Sequence, residues 1–140
     1  MGAIHNIKAK GRTTMQDILQ DIHQYSDNFT ISQVVKFFER KGLIVTKSMI
    51  QNYVRDGILP PPVNKRHYTH KHLTTLALII RLKTVFEFVY IKAVLVPLTD
   101  SEGIPLEVYR QPPETLALMI QCVDLKDEAV ERLRKLEGGY

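Results

Sequence analysis

The chain has 140 residues, 44% apolar and 24% charged, a balance that suits one folded domain and excludes wholesale disorder. Apolar runs reach only five residues, as at Leu76–Ile80, Met1 to Lys8 lack a secretory signal's apolar run, and the single Cys122 excludes an internal disulfide or a four-cysteine zinc site. The formal charge of +4 is uneven: residues 30–98 carry eleven Lys/Arg against three acids, and residues 99–140 carry five against nine. A cytoplasmic protein with no membrane partner is the expectation, and its basic centre suits a polyanion.

Residues 13–25 set Met15, Ile18, Leu19, Ile22 and Tyr25 at helical spacing behind Thr14, with Asp17 three residues on, and predict a leading helix. Thr30 and Gln33 have the spacing of a capping box. Val34, Val35, Phe37 and Phe38 follow, and Lys41-Gly42 is a stop, so a second helix is expected over residues 31–40. Thr46 caps a third helix that ends at Gly57. It has Met49, Ile50, Tyr53 and Val54 on one face and Lys47, Ser48, Gln51, Asn52 and Arg55 on the other.

Consecutive prolines at 60–62 forbid a helix there, and residues 59–68 read as a stiff basic loop or small hairpin. Thr69 caps the next helix, about residues 70–84, with Leu73, Leu76, Ala77 and Ile80 inward. Leu78, Ile79 and Leu82 make it apolar on a second face, so it must be covered twice. Residues 85–96 suit strand or helix by propensity, and a buried helix over 88–96 ended by Pro97 is the reading adopted. Residues 99–112 form a connector. Residues 113–137 are helical, with a restart at Asp124 and an apolar stripe of Leu116, Met119, Ile120, Val123, Val130 and Leu133 near heptad spacing. The stripe fits either a homodimer seam or packing against the helix at 70–84. The leading helix could alternatively cross to a partner as an arm.

The third helix presents Lys, Ser, Gln, Asn and Arg with no carboxylate before Asp56, and a basic loop follows. Asn and Gln pair with adenine, and Arg and Lys with guanine or phosphate, so the pattern points to groove recognition. His67, His70 and His72 lie close in sequence, but basic neighbours and the lack of acidic or cysteine ligands disfavour a metal. A phosphate-contacting or solvated role is expected for them. Cys122 falls within the apolar pattern and reads as a small buried hydrophobe. No nucleophile–base pair or glycine-rich phosphate loop suggests an enzyme, and no cofactor is expected.

Thr30-Ile31-Ser32-Gln33-Val34-Val35 resembles the opening helix of MerR-type winged-helix regulators. Tyr53-Val54-Arg55-Asp56-Gly57-Ile58-Leu59-Pro60 resembles their recognition-helix ending, and Arg66-His67-Tyr68 their wing. More closely, Thr46 to Leu98 resembles a group of small bacterial MerR-like proteins known only as a domain of unknown function, through Thr46, Lys47, Met49, Ile50, Asn52, Tyr53 and Val54.

The resemblance implies a mostly α fold. A leading N-terminal helix or arm occupies residues 1–29, a MerR-like winged helix-turn-helix domain residues 30–98, and a connector with a C-terminal helical segment residues 99–140. It also implies a homodimeric transcription regulator that binds duplex DNA. Lys47, Ser48, Gln51, Asn52 and Arg55 would contact the groove, and Lys65, Arg66 and Tyr68 the backbone from the wing. Ser48 and Gln51 stand where that family usually has arginines, and residues 39–45 form a longer turn, so its base contacts do not transfer. The long coiled coil of its metal and drug sensors is not seen, and sensing of that kind is not expected. The competing reading is a winged-helix scaffold whose basic face meets an acidic protein.

Overall fold

Threonine side chains set the starts of four helices. Thr14 accepts the Asp17 N–H, Thr30 that of Gln33, Thr46 that of Met49 and Thr69 that of His72. Each bond satisfies an orphan donor of a first turn. At Thr14, Thr30 and Thr69 the residue three places on reaches back to the threonine's own N–H and completes a capping box. The computed structural model describes residues 14–138. The helices that follow are α1 (Met15–Ile22), α2 (Ile31–Arg40), α3 (Lys47–Arg55), α4 (His70–Leu82), α5 (Phe88–Leu95), α6 (Leu106–Arg110) and α7 (Glu114–Leu136), with a 3-10 turn at Val96–Leu98. Among the described residues the chain is mostly helical, without a strand.

Glycines end α2 and α3 in the same way. Gly42 (φ +76°) and Gly57 (φ +82°) adopt the left-handed conformation. The N–H groups of Gly42 and Leu43 go back to the Glu39 and Phe38 carbonyls, and those of Gly57 and Ile58 to Val54 and Tyr53. Both are Schellman motifs. Between α3 and α4 the chain makes two isolated antiparallel bridges, Val63 with His67 and Phe29 with Tyr68.

One apolar cluster runs from Met15 to Val123 and joins all three expected segments. Its centre is α4, covered on one side by α1 and on another by α7. The double apolar face of α4 is therefore used: Leu73, Leu76, Ala77, Leu78, Ile79 and Leu82 are all buried, with Ile80 half-buried. Packing on α4 removes α1 as a free arm, and it ends at Ile22 rather than 25. Helix α7 continues through Asp124 without a restart.

Helix α5 differs from the buried helix expected. Only Ile91 and Leu95 are buried, while Val89 is 78% exposed, because one face alone meets the core.

The loop after α5 is pinned to α4. Lys71 donates to Asp100 (2.6 Å), and Asp100 accepts the N–H groups of Glu102 and Gly103. The lysine bond first, then the Glu102 N–H, holds the Asp100 carboxyl below its ordinary pKa. Thr75 donates to the Lys71 carbonyl and accepts the Ile104 N–H. Gly103 (φ +134°) lies so close to α4 that a Cβ would stand 2.4 Å from the Lys71 carbonyl oxygen. No helix of the described residues is long and apolar enough to cross a membrane.

Candidate nucleic-acid interface

Ile50 and Tyr53 seat α3 in the core, with Met49 and Val54 half-buried beside them. Tyr53 stacks on Phe88 (5.9 Å) and accepts a hydrogen bond from Lys83 (3.1 Å). That orientation leaves Lys47, Ser48, Gln51, Asn52 and Arg55 all exposed. Within this set the Asn52 amide oxygen accepts from the Arg55 guanidinium. The pair is held together on α3's outer surface, with the Asn52 NH₂ still available.

The loop that follows is built to hold a tip. The Pro61 carbonyl accepts from His72, and Leu59 is buried. Val63 and His67 exchange backbone hydrogen bonds (2.7 and 3.0 Å), and the Arg66 N–H closes on the Val63 carbonyl. Both central residues of that turn have positive φ, Asn64 at +52° and Lys65 at +63°. This is the type I′ pattern of tight hairpins. Asparagine tolerates it; lysine is held there at a cost of about 1–2 kcal/mol. Lys65 and Arg66 are both exposed.

Tyr68 does not belong with them. It is only 5% exposed, its backbone pairs with Phe29, and burial raises its phenol pKa. The phosphate contact expected of it is replaced by a core role, because the bridge to Phe29 turns the side chain inward.

The three histidines separate likewise. His72 is fully buried as the returning member of the Thr69 capping box: its Nδ1 accepts the Thr69 N–H (2.9 Å), so Nε2 carries the proton donated to Pro61 (3.0 Å). Burial holds its pKa below 6.5. The His70 N–H donates to Asp27, and its ring donates to the Tyr25 carbonyl, tying α4 to the α1–α2 loop. The Nδ1 of His67 is buried without a hydrogen-bond partner. The phosphate-contacting or solvated role expected of the three does not hold for His72, which is buried, or for His70, which bonds within the fold; His67 is half-buried. Among the described residues no group of three or more His, Cys, Asp or Glu could hold a metal. Cys122 is exposed rather than buried, since α7 turns its other face to the core.

Three of the cations tie separate elements together through carboxylates. Lys41 pairs with Asp21, Lys71 with Asp100, and Arg81 with Asp127 (2.7 Å) and Asp124 (3.7 Å). These bonds join elements of the fold. Among the described residues Lys47, Arg55, Lys65 and Arg66 make no ion pair and remain exposed. Two cations overlooked in the sequence, Lys36 and Arg40, share that condition on α2, and their i, i+4 spacing was the available signal.

Comparison with curated proteins and with solved structures yields no match. A family model does match, over residues 14–111, from the cap of α1 to the end of α6. The exposed basic surface and all of the core except the residues of α7 lie inside those bounds, and the chain belongs to the family described as a domain of unknown function (DUF1836).

Proposed function

We propose that this protein binds duplex DNA sequence-specifically and regulates transcription, with α3 reading base edges and the turn at Asn64–Arg66 gripping phosphates. The observation that carries the reading is the division of the cations. Lys41, Lys71 and Arg81 are matched by carboxylates of other elements. Lys47 and Arg55 on α3 and Lys65 and Arg66 on the turn are instead exposed, with no carboxylate partner among the described residues, and open to an external anion. Amides interleave with them on α3: Gln51 offers the bidentate donor–acceptor pair that distinguishes bases, and Asn52 its NH₂ beside the Arg55 guanidinium. Helix, turn, helix, paired loop, helix is also the order of the MerR-like winged helix-turn-helix proteins that residues 30–98 resemble, the Val63–His67 turn serving as a short wing.

Two copies acting together would read two half-sites, which one small domain reads poorly. We infer a homodimer as the active form. Selection of bound fragments from random duplex DNA tests the reading. It should enrich one sequence, and that sequence should be protected from cleavage. Binding that enriches no sequence removes the regulatory role, and no duplex binding at about 50 mM salt leaves the basic surface to an acidic protein.

A further inference from the structure

The cleft between α1, α6 and the start of α7 has no part in that reading. It encloses ≈ 680 Å³, inside the range of about 300–1,000 Å³ typical of small-molecule sites. One side is apolar, formed by Leu19, Leu106, Ile120 and the half-buried Tyr109. The other is polar. Gln16 and Gln20 lie four residues apart on one face of α1, His23 continues that face as the helix's C-cap, and Arg110 ends α6.

Among the described residues these four side chains make no hydrogen bond and no ion pair with one another or with the rest of the fold. No carboxylate lines the cleft. Partial burial, then His70 and Arg110, keeps the His23 imidazole pKa below 6.5, against a smaller raising effect of Asp27. His23 therefore offers a neutral N–H near pH 7, and Arg110 supplies the one full positive charge. One cation beside amide donors and an apolar wall matches a monoanion with an apolar body. A phosphate dianion would find too little charge there, and a hydrocarbon would strand the donors.

We propose that the cleft binds a small organic acid, its carboxylate on Arg110 with Gln16, Gln20 or His23 as further donors, and its apolar part against Leu19, Leu106, Tyr109 and Ile120. The site closes across α1 and α7, both of which pack on α4. Occupancy would thus stiffen the join between the leading helix and the C-terminal helix. The proposal stands apart from DNA binding.

The test is titration of the full chain with octanoate and 2-naphthoate, each against its primary amide, followed by two-dimensional NMR. The acids should give saturable shifts at residues of the cleft, with affinity about tenfold or more above the amides. Arg110→Gln should bring acid affinity down to that of the amide. Gln20→Glu should weaken the acid and spare the amide. Both positions are exposed, so the variants should unfold at the temperature of the parent. No saturable shift up to about 5 mM, equal affinity for acid and amide, or an acid preference that survives Arg110→Gln would each overturn the proposal.

Discussion

At the scale of single residues, two side chains hold conformations that leave a measurable signature. His72 is neutral in the folded state, with Nδ1 accepting inside the capping box and Nε2 donating to Pro61. Its folded pKa lies below 6.5, so the unfolded chain takes up a proton that the folded chain refuses. His72 should therefore cost no stability above pH 6.5 and a growing amount as the pH falls from there toward its folded pKa. His72→Gln removes the titration yet keeps a capping acceptor, since Gln33 fills the same place after Thr30. Urea unfolding across pH 7.5–5 should show a flatter acid limb for the variant, and parallel limbs would refute the assignment. The cap at Thr69 was legible in sequence, but its histidine partner was not. Thr-x-x-His signals a box only when the ring's protonated nitrogen is tied elsewhere, here by Pro61 from eleven residues upstream. Lys65 is the second case. Lys65→Gly relieves a left-handed lysine and should stabilise the fold by about 1 kcal/mol. It should also weaken every duplex and lower the salt slope by about 1. A glycine variant no more stable, or with the slope unchanged, would contradict that account.

At the scale of elements, capping and stop signals carried most of the fold. Thr14, Thr30, Thr46 and Thr69 start helices where their spacing predicts, and Gly42 and Gly57 close two of them. The polar face of α3 was equally legible, because Ile50 and Tyr53, with Met49 and Val54 beside them, determine which side turns inward. What periodicity could not supply is the pairing on that face. Asn52 is bound to Arg55, so the two should act as a unit. Asn52→Ala and Arg55→Ala should each cost about 1–3 kcal/mol on the best duplex. The double variant should lose less than the sum, and strict additivity would show that the pair is broken on binding. The connector at 99–105 gave no periodic signal at all, since its order comes from Lys71, Thr75 and Asp100 across a long sequence separation. Gly103→Ala measures how tightly it is seated. The added methyl meets the Lys71 carbonyl at 2.4 Å in a conformation suited to glycine, so stability should drop by about 2–3 kcal/mol or more. A loss within about 0.5 kcal/mol would mean that the loop lifts away freely.

At the scale of the whole molecule, α7 has two apolar faces, and the core uses the one that fitted either a dimer seam or packing on α4. Leu116, Met119 and Val123 are buried and Ile120 is half-buried, so most of the stripe takes the second of its two expected places and packs inside the protomer, where α7 meets α4. Opposite it, Leu118, Leu125, Leu133 and Leu136 are all more than half exposed, the last at 84%. Cys122 and Ala129 fall between them at spacings of three and four, which keeps the row on one side of the helix. Glu114 flanks the start of this row, Glu128 its middle, and Arg132 and Lys135 its end. Two such helices laid antiparallel bring Glu114 of one copy to the bases of the other; laid parallel, they set like charges together. The proposed homodimer is therefore expected to form through this second row, antiparallel. Leu125→Glu places a charge near the middle of the seam and touches nothing in the protomer core, because Leu125 is exposed. Sedimentation at about 10 µM should find the parent dimeric and the variant at least tenfold weaker in association, while thermal unfolding at low concentration stays unchanged. If the parent sediments as a monomer, the homodimer fails; if Leu125→Glu remains dimeric while Val89→Glu on α5 does not, the contact lies on the exposed face of α5 instead.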